Sequence, residues 1–363
     1  MKKNLTRRET LAGAIGGMTW AGLASNAHAR VKPWVHGGCD KVKTKGLVDV
    51  HAHFVPERYA AAASAAGYAQ PDGMPGLPTW SEAAMIETMD RLGVACSVLS
   101  ISSPGVHFGD AQQASALARL VNEQAAQLKR SHAGRIGFFA SLPLPDVERT
   151  LVEIPVALDD LNADGVVIQS NSRGSYPGDP ELEPVLAMLD ERAAVVFMHP
   201  TSPYCACSFS QSPALPAPIL EFMFETTRAV CSLVYNDIPQ RFPNIKFIVP
   251  HAGAALSALA DRIALSPTVL PGLQGVSPAS VMAGLHSFYY DLAGTPFPRQ
   301  VPALRTFADP NKLLYGSDWP FTPETAVGEV LSSIEDALAE EQALRAGVFY
   351  HNARALLPRL GLR

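Results

Sequence analysis

Two histidines two positions apart, in Val48-Asp49-Val50-His51-Ala52-His53, close an apolar run. On a strand, side chains at i and i+2 share a face, so both imidazoles can converge on one ion, and neutral imidazole suits Zn²⁺ and similar divalent metals. A single histidine there would more often be structural. Three further apolar runs end in useful groups: 194–198 leads into His199-Pro200, 247–250 into His251, and 313–317 into Asp318. Each alone could be a hydrogen-bonded strand end, but their coincidence argues for metal ligands and an acid or base meeting at one mouth. His36, His107, His132, His286 and His351 fall in loops or helical stretches and read as surface or packing residues.

Such a meeting needs strands that all end on the same side. Eight β-rich runs are spaced along the chain, at 47–51, 96–102, 136–142, 165–170, 194–199, 245–251, 288–292 and 313–318. Amphipathic helical patterns separate them, among them 81–91, 111–129, 147–161, 180–192, 220–238 and 324–338. Eight strands each followed by a helix is the arithmetic of an α/β fold of the (β/α)₈ TIM-barrel type, with a doubly wound open sheet as its rival. The strands read as unbroken apolar runs because both faces of such a sheet are buried. Two long loops stand out, 60–80 after the first strand and the Ser- and Pro-rich 201–218 after the fifth. On a barrel both lie at the C-terminal face, where substrates bind.

Composition narrows the class of function. Hydrophobic residues at 47% and charged residues at 17% over 363 positions suit a globular enzyme with a large core. A net charge of -5 offers no basic stripe for nucleic acid, which leaves small-molecule chemistry as the default. Residues 1–29 read as a signal peptide: Lys2, Lys3, Arg7 and Arg8 precede the uncharged run 11–23, and Ala27-His28-Ala29 supplies an A-x-A cleavage site. The pair Arg7-Arg8 resembles the twin-arginine type, which exports folded proteins, with an ordinary secretory signal as the alternative, so the expected location is periplasmic. Residues 30–363 then form a single catalytic domain with no span left in the mature form. The cysteines, Cys39, Cys96, Cys205, Cys207 and Cys231, show no C-x-x-C spacing; folding before export would keep them reduced, and mostly free thiols are expected.

The same residues resemble a known family. His51-Ala52-His53, Val196-Phe197-Met198-His199-Pro200, Pro250-His251-Ala252-Gly253-Ala254 and Leu314-Tyr315-Gly316-Ser317-Asp318-Trp319-Pro320 are similar to the amidohydrolase-related family of aminocarboxymuconate-semialdehyde and resorcylate-type decarboxylases. The resemblance covers nearly the whole mature chain and extends to 89–94, 225–229, 241–243 and 352–354. It implies His51, His53, His199 and Asp318 as ligands of one divalent metal, Zn²⁺ first and Mn²⁺ second, with His251 and Asp318 as catalytic residues. Dinuclear relatives need a carboxylated lysine at the end of the fourth strand, where this chain reads Ile168-Gln169-Ser170-Asn171. Arg262 matches an arginine that, in the aminocarboxymuconate enzymes, crosses a dimer interface to the substrate carboxylate, which implies a homodimer or higher homo-oligomer; the alternative is an arginine salt-bridged to Asp261 on its own helix. A second arginine of those enzymes has no counterpart in 60–80, which speaks against their substrate.

Other stretches, 137–143, 163–166 and 103–106, look like the 6-methylsalicylate decarboxylase branch. Phe54, Trp80, Phe224, Trp319 and Phe321 flank the motifs and suit a flat ring, with Phe54 and Trp319 expected to touch the substrate beside Arg262. The expected activity is therefore non-oxidative decarboxylation of a hydroxybenzoate-like aromatic acid. The alternative is metal-dependent hydrolysis of an amide, a lactone or a carbon–carbon bond, since the same ligand set can activate water.

Overall fold

The computed structural model describes residues 45–205, 215–273 and 275–361, so the leader read at 1–29 lies outside the described residues. Eight parallel strands follow one another: β1 Leu47–His53, β2 Val94–Ser100, β3 Ile136–Ser141, β4 Gly165–Gln169, β5 Val195–His199, β6 Lys246–Val249, β7 Tyr289–Asp291 and β8 Leu313–Leu314. Each pairs with the next in chain order. Beyond β8 the backbone returns to β1, where Val50 N donates to Tyr315 O at 3.0 Å and His53 N to Trp319 O at 2.8 Å. The sheet is thereby a (β/α)₈ barrel. Parallel neighbours require crossovers, and helices such as Glu82–Leu92, Ala111–Ser131, Glu183–Glu191, Glu221–Tyr235, Leu256–Leu265 and Glu324–Ala337 supply them.

Local sequence explains most boundaries. Ser81, Asp110 and Asp146 each accept a backbone N–H from the third residue on and so cap the helices that follow them. Gly93, at φ 73°, ends the first of these. The pattern expected over 147–161 divides at Pro155, which lacks an N–H donor, and the chain continues as the single π turn Val156–Asp160. The stretch 60–80 is not all loop, because its alanine run completes the helix Glu57–Ala65. The eighth strand is shorter than its apolar run because Ser317 N turns to Asp49 Oδ1 at 3.0 Å and Tyr315 N to Val348 O at 3.0 Å.

Two apolar shells result. The barrel interior is filled by Val48, Val50, Cys96, Val98, Phe139, Val167, Phe197, Ile248 and Leu314, and its floor is closed by Ala353, Leu356, Leu357 and Leu360. Gly137 makes room for that floor: a Cβ there would stand 2.2 Å from Leu360 Cδ2. Arg359 Nη1 ties the segment down by donating to Leu158 O and Ala163 O. The larger shell lies between strands and helices. Among the described residues no helix is long and apolar enough to cross a membrane. Cys96 and Cys231 are free thiols as expected, whereas Cys205 is disulfide-bonded, a departure from the reduced state expected of it.

Candidate active site

The histidine pair owes its direction to an irregularity in β1. Register against β2 shifts between Asp49 and Ala52. Val48 and Val50 fill the interior while Ala52 and Phe54 belong to the outer shell, and across the slip His51 turns inward against Phe197, with ring centroids 4.9 Å apart. An extra residue in one strand re-aims the side chains beyond it. His53 is inward too, next to His51 and His199.

His51, His53, His199 and Asp318 each bring one ligand atom within 4.8 Å of the others. His53 Nε2 lies 3.0 Å and His51 Nε2 3.4 Å from Asp318 Oδ1. The outer nitrogens are all committed. Nδ1 of His51 meets Asp291 Oδ2 at 2.9 Å, that of His53 meets Ser100 O at 3.2 Å, and that of His199 meets Pro200 O at 2.7 Å. A carbonyl or carboxylate oxygen can only accept, so these contacts favour a proton on each Nδ1, which lets each Nε2 offer a lone pair to a cation at the common point. His51 Nε2 is buried and makes no hydrogen bond. Three imidazole nitrogens and a carboxylate, oriented from behind by other groups, fit one divalent cation.

Electrostatics agree with that donor set. Burial and then the neighbouring imidazoles of His53 and His51 push His199 well below its ordinary value, and burial lowers His53. Burial also opposes protonation of His51, but the carboxylates of Asp291 and Asp318 prevail and hold it up at about 10. A proton and a cation therefore compete for the same nitrogen. Burial would raise Asp318, yet the imidazoles of His251, His51 and His53 around it keep it well below the usual carboxylate range.

His251 stands beside this cluster, its Nε2 3.7 Å from Asp318 Oδ2 and its ring 5.0 Å from that of His51. The turn that carries it is strained: His251, Ala252 and Ala254 have φ of 55°, 53° and 54°, a region non-glycine residues avoid. Asp291 holds the turn in place, because its Oδ1 accepts from His251 N at 3.0 Å while Oδ2 orients His51. Fully buried and kept ionised by those partners, Asp291 is the functional residue that the strand run 288–292 concealed. The available signal was an acid inside an otherwise apolar strand.

Other expected site residues divide. Phe54 does not reach the site; it is 2% exposed in the outer shell against Trp80, because it follows an inward histidine and adjacent strand positions face opposite ways. Trp319 is half-buried against the same shell, Phe321 packs edge-on to His53 at 5.4 Å, and Phe224 is 51% exposed. Arg262 is exposed on the helix Leu256–Leu265, without an ion pair to Asp261. His107 is not merely a surface residue. It lines a cavity of about 190 Å³ over the ends of β2 to β5, with Tyr68, Asp72, Leu142, Gln169, Arg173 and Tyr204 also in its wall. Both loops singled out in the sequence thus contribute to that wall.

A barrel whose strand ends gather three histidines and an aspartate defines a metal-dependent catalytic barrel. The amidohydrolase family model matches residues 48–359, and the chain belongs to that family. It is 35% identical over 317 residues to the 6-methylsalicylic acid decarboxylase of Penicillium expansum, covering 86% of this chain and 96% of that protein. Among solved structures, an amidohydrolase II superposes with a TM-score of 0.79 at 35% identity, covering 86% of this chain and all 100% of that one. A 5-carboxyvanillate decarboxylase from Novosphingobium aromaticivorans, solved with manganese and 4-hydroxy-3-methoxy-5-nitrobenzoic acid, matches in fold with a TM-score of 0.76 at 20% identity, covering 86% and 96% of the two chains.

Proposed function

We propose that this chain is a metal-dependent carboxy-lyase that decarboxylates a hydroxybenzoate-like aromatic acid without an oxidant, of the 6-methylsalicylate type. The observation that carries the reading is the convergence of His51, His53, His199 and Asp318 with His251 at their side, in a chain 35% identical to a 6-methylsalicylic acid decarboxylase. The four ligands fit Zn²⁺ by donor type, and the manganese in a structural neighbour supports Mn²⁺ as the competing occupant. When bound, the cation supplies charge neutralisation and orientation for the substrate carboxylate and its ortho phenolate. The protein's own part is the proton. His251 and Asp318, 3.7 Å apart, deliver it to the ring carbon that bears the carboxylate. The carbon–carbon bond then breaks, its electron pair restores the aromatic ring, and carbon dioxide leaves. A positioned acid of this kind contributes ~10²- to 10⁴-fold.

Trp319 is proposed to border the ring, and Arg262, exposed on its own subunit, to serve a neighbouring subunit's substrate in a homodimer or higher homo-oligomer. Export by the twin-arginine route to the periplasm belongs to the same reading, with 1–29 removed and 30–363 as the mature enzyme; changing Arg7 and Arg8 to lysine would trap a precursor in the cytoplasm. The reaction is tested by offering the metal-loaded protein 6-methylsalicylate. Carbon dioxide is expected, and its loss when the ortho hydroxyl is removed. No carbon dioxide from a hydroxybenzoate panel, together with solvent ¹⁸O entering an ester or amide product, would establish hydrolysis instead.

A further inference from the structure

Alternate residues of β2 lead from the barrel interior up to the metal ligands. Cys96 and Val98 fill the interior, Ser100 places Oγ 3.1 Å from Nδ1 of His53, and Ser102, two residues further on, places Oγ 3.4 Å from Nε2 of His199. The two serines meet opposite sides of the ligand set. Ser100 lies behind its imidazole, whereas Ser102 touches the nitrogen with which His199 would hold a cation. The contact of His199 Nδ1 with Pro200 O favours a proton there, so Nε2 accepts and the Ser102 hydroxyl donates. Ser102 is 7% exposed, and its hydroxyl has no other hydrogen-bond partner among the described residues. A nitrogen lone pair serves one partner at a time. With a cation on His199, a buried hydroxyl would lose its acceptor at the edge of the site, which is costly unless the substrate supplies another.

We propose that Ser102 is a substrate-binding residue whose hydroxyl donates a hydrogen bond to the substrate oxygen beside His199, one of the carboxylate and ortho phenolate pair. This rests on the decarboxylase reading, in which those oxygens are the substrate atoms nearest the ligands. Ser102 takes no part in proton delivery, which belongs to His251 and Asp318, and no covalent bond changes at its hydroxyl. Its hydrogen bond fixes the rotation of the ring relative to those two groups.

The test uses 3-methyl-2-nitrophenol, which has the shape of 6-methylsalicylate but carries a nitro group in place of the carboxylate and so cannot lose carbon dioxide. In the Mn²⁺-loaded protein, Ser102→Ala is expected to raise its Kd about tenfold by calorimetry, the scale of one buried hydrogen bond. The kcat/KM for 6-methylsalicylate should fall by a similar factor, while cation affinity, measured by competition with a chelator, stays that of the native protein. An unchanged Kd overturns the assignment. Loss of cation affinity does the same, because it would make Ser102 a ligand. If the variant does not fold, a crystal structure of the native protein with Mn²⁺ and the nitrophenol decides: Ser102 Oγ within about 3.2 Å of a phenolate or nitro oxygen supports the assignment, and a greater distance overturns it. Each of these failures leaves the decarboxylase reading standing when the native enzyme releases carbon dioxide from 6-methylsalicylate. Absence of carbon dioxide from every hydroxybenzoate offered to the native enzyme overturns that reading and the role of Ser102 together.

Discussion

Asp291 acts through two neighbours at once, aligning the His51 ring and fixing the backbone of His251. Asp291→Asn keeps the shape but removes the charge that keeps the His51 proton on Nδ1, so metal affinity should fall ~10- to 100-fold, measured by competition with a chelator. Unchanged affinity would show that His51 needs no carboxylate behind it. His251 answers to a different measurement. It is not among the four converging ligands, so His251→Gln should leave metal content intact and lower kcat by ~10²-fold or more. A variant that loses its metal instead would make His251 a ligand.

At the scale of elements, the helix Glu324–Ala337 is joined to Glu82–Leu92 by Arg91, whose Nε and Nη2 reach Glu324 at 2.7 and 2.8 Å. Hydrogen bonding from Arg91 lowers the Glu324 carboxyl, so the folded state favours its charged form. The contribution is therefore full above the unfolded carboxylate's pKa of about 4.3 and disappears as pH falls through the lower folded value. Arg91 is half-exposed, which limits the effect: Glu324→Gln should cost about 0.5 kcal/mol at neutral pH and progressively less as the pH falls below about 4.3, by urea denaturation. A constant difference across that range would mean packing, not charge. Elements were the legible level of this chain. Parallel barrel strands are buried on both faces, so all eight showed as apolar runs, and the ligands stood out as polar interruptions at their ends. Asp291 was hidden because its meaning depends on barrel closure, which brings β7 beside His51 of β1. His107 was hidden because a loop's path sets its neighbours, and Phe54 was misjudged because nearness in sequence to a histidine overlooks the alternation of strand faces.

The molecule as a whole depends on a floor made from 353–360. Gly137→Ala would press a methyl into Leu360 Cδ2 at 2.2 Å and Asp164 Oδ2 at 2.7 Å, and overpacking of this kind costs about 1–3 kcal/mol. Leu360→Ala added to it should recover part of that loss, a coupling that denaturation of the two single variants and the double would expose. Strict additivity would mean that the two residues do not meet. The floor also has a place in time. Its residues are made after every strand of the barrel, so a chain emerging from the ribosome has all its walls before it has its base. Until that segment docks, Val48, Phe139 and Ile248 lack the apolar cover that it gives them, so the interior is completed by residues that follow every strand.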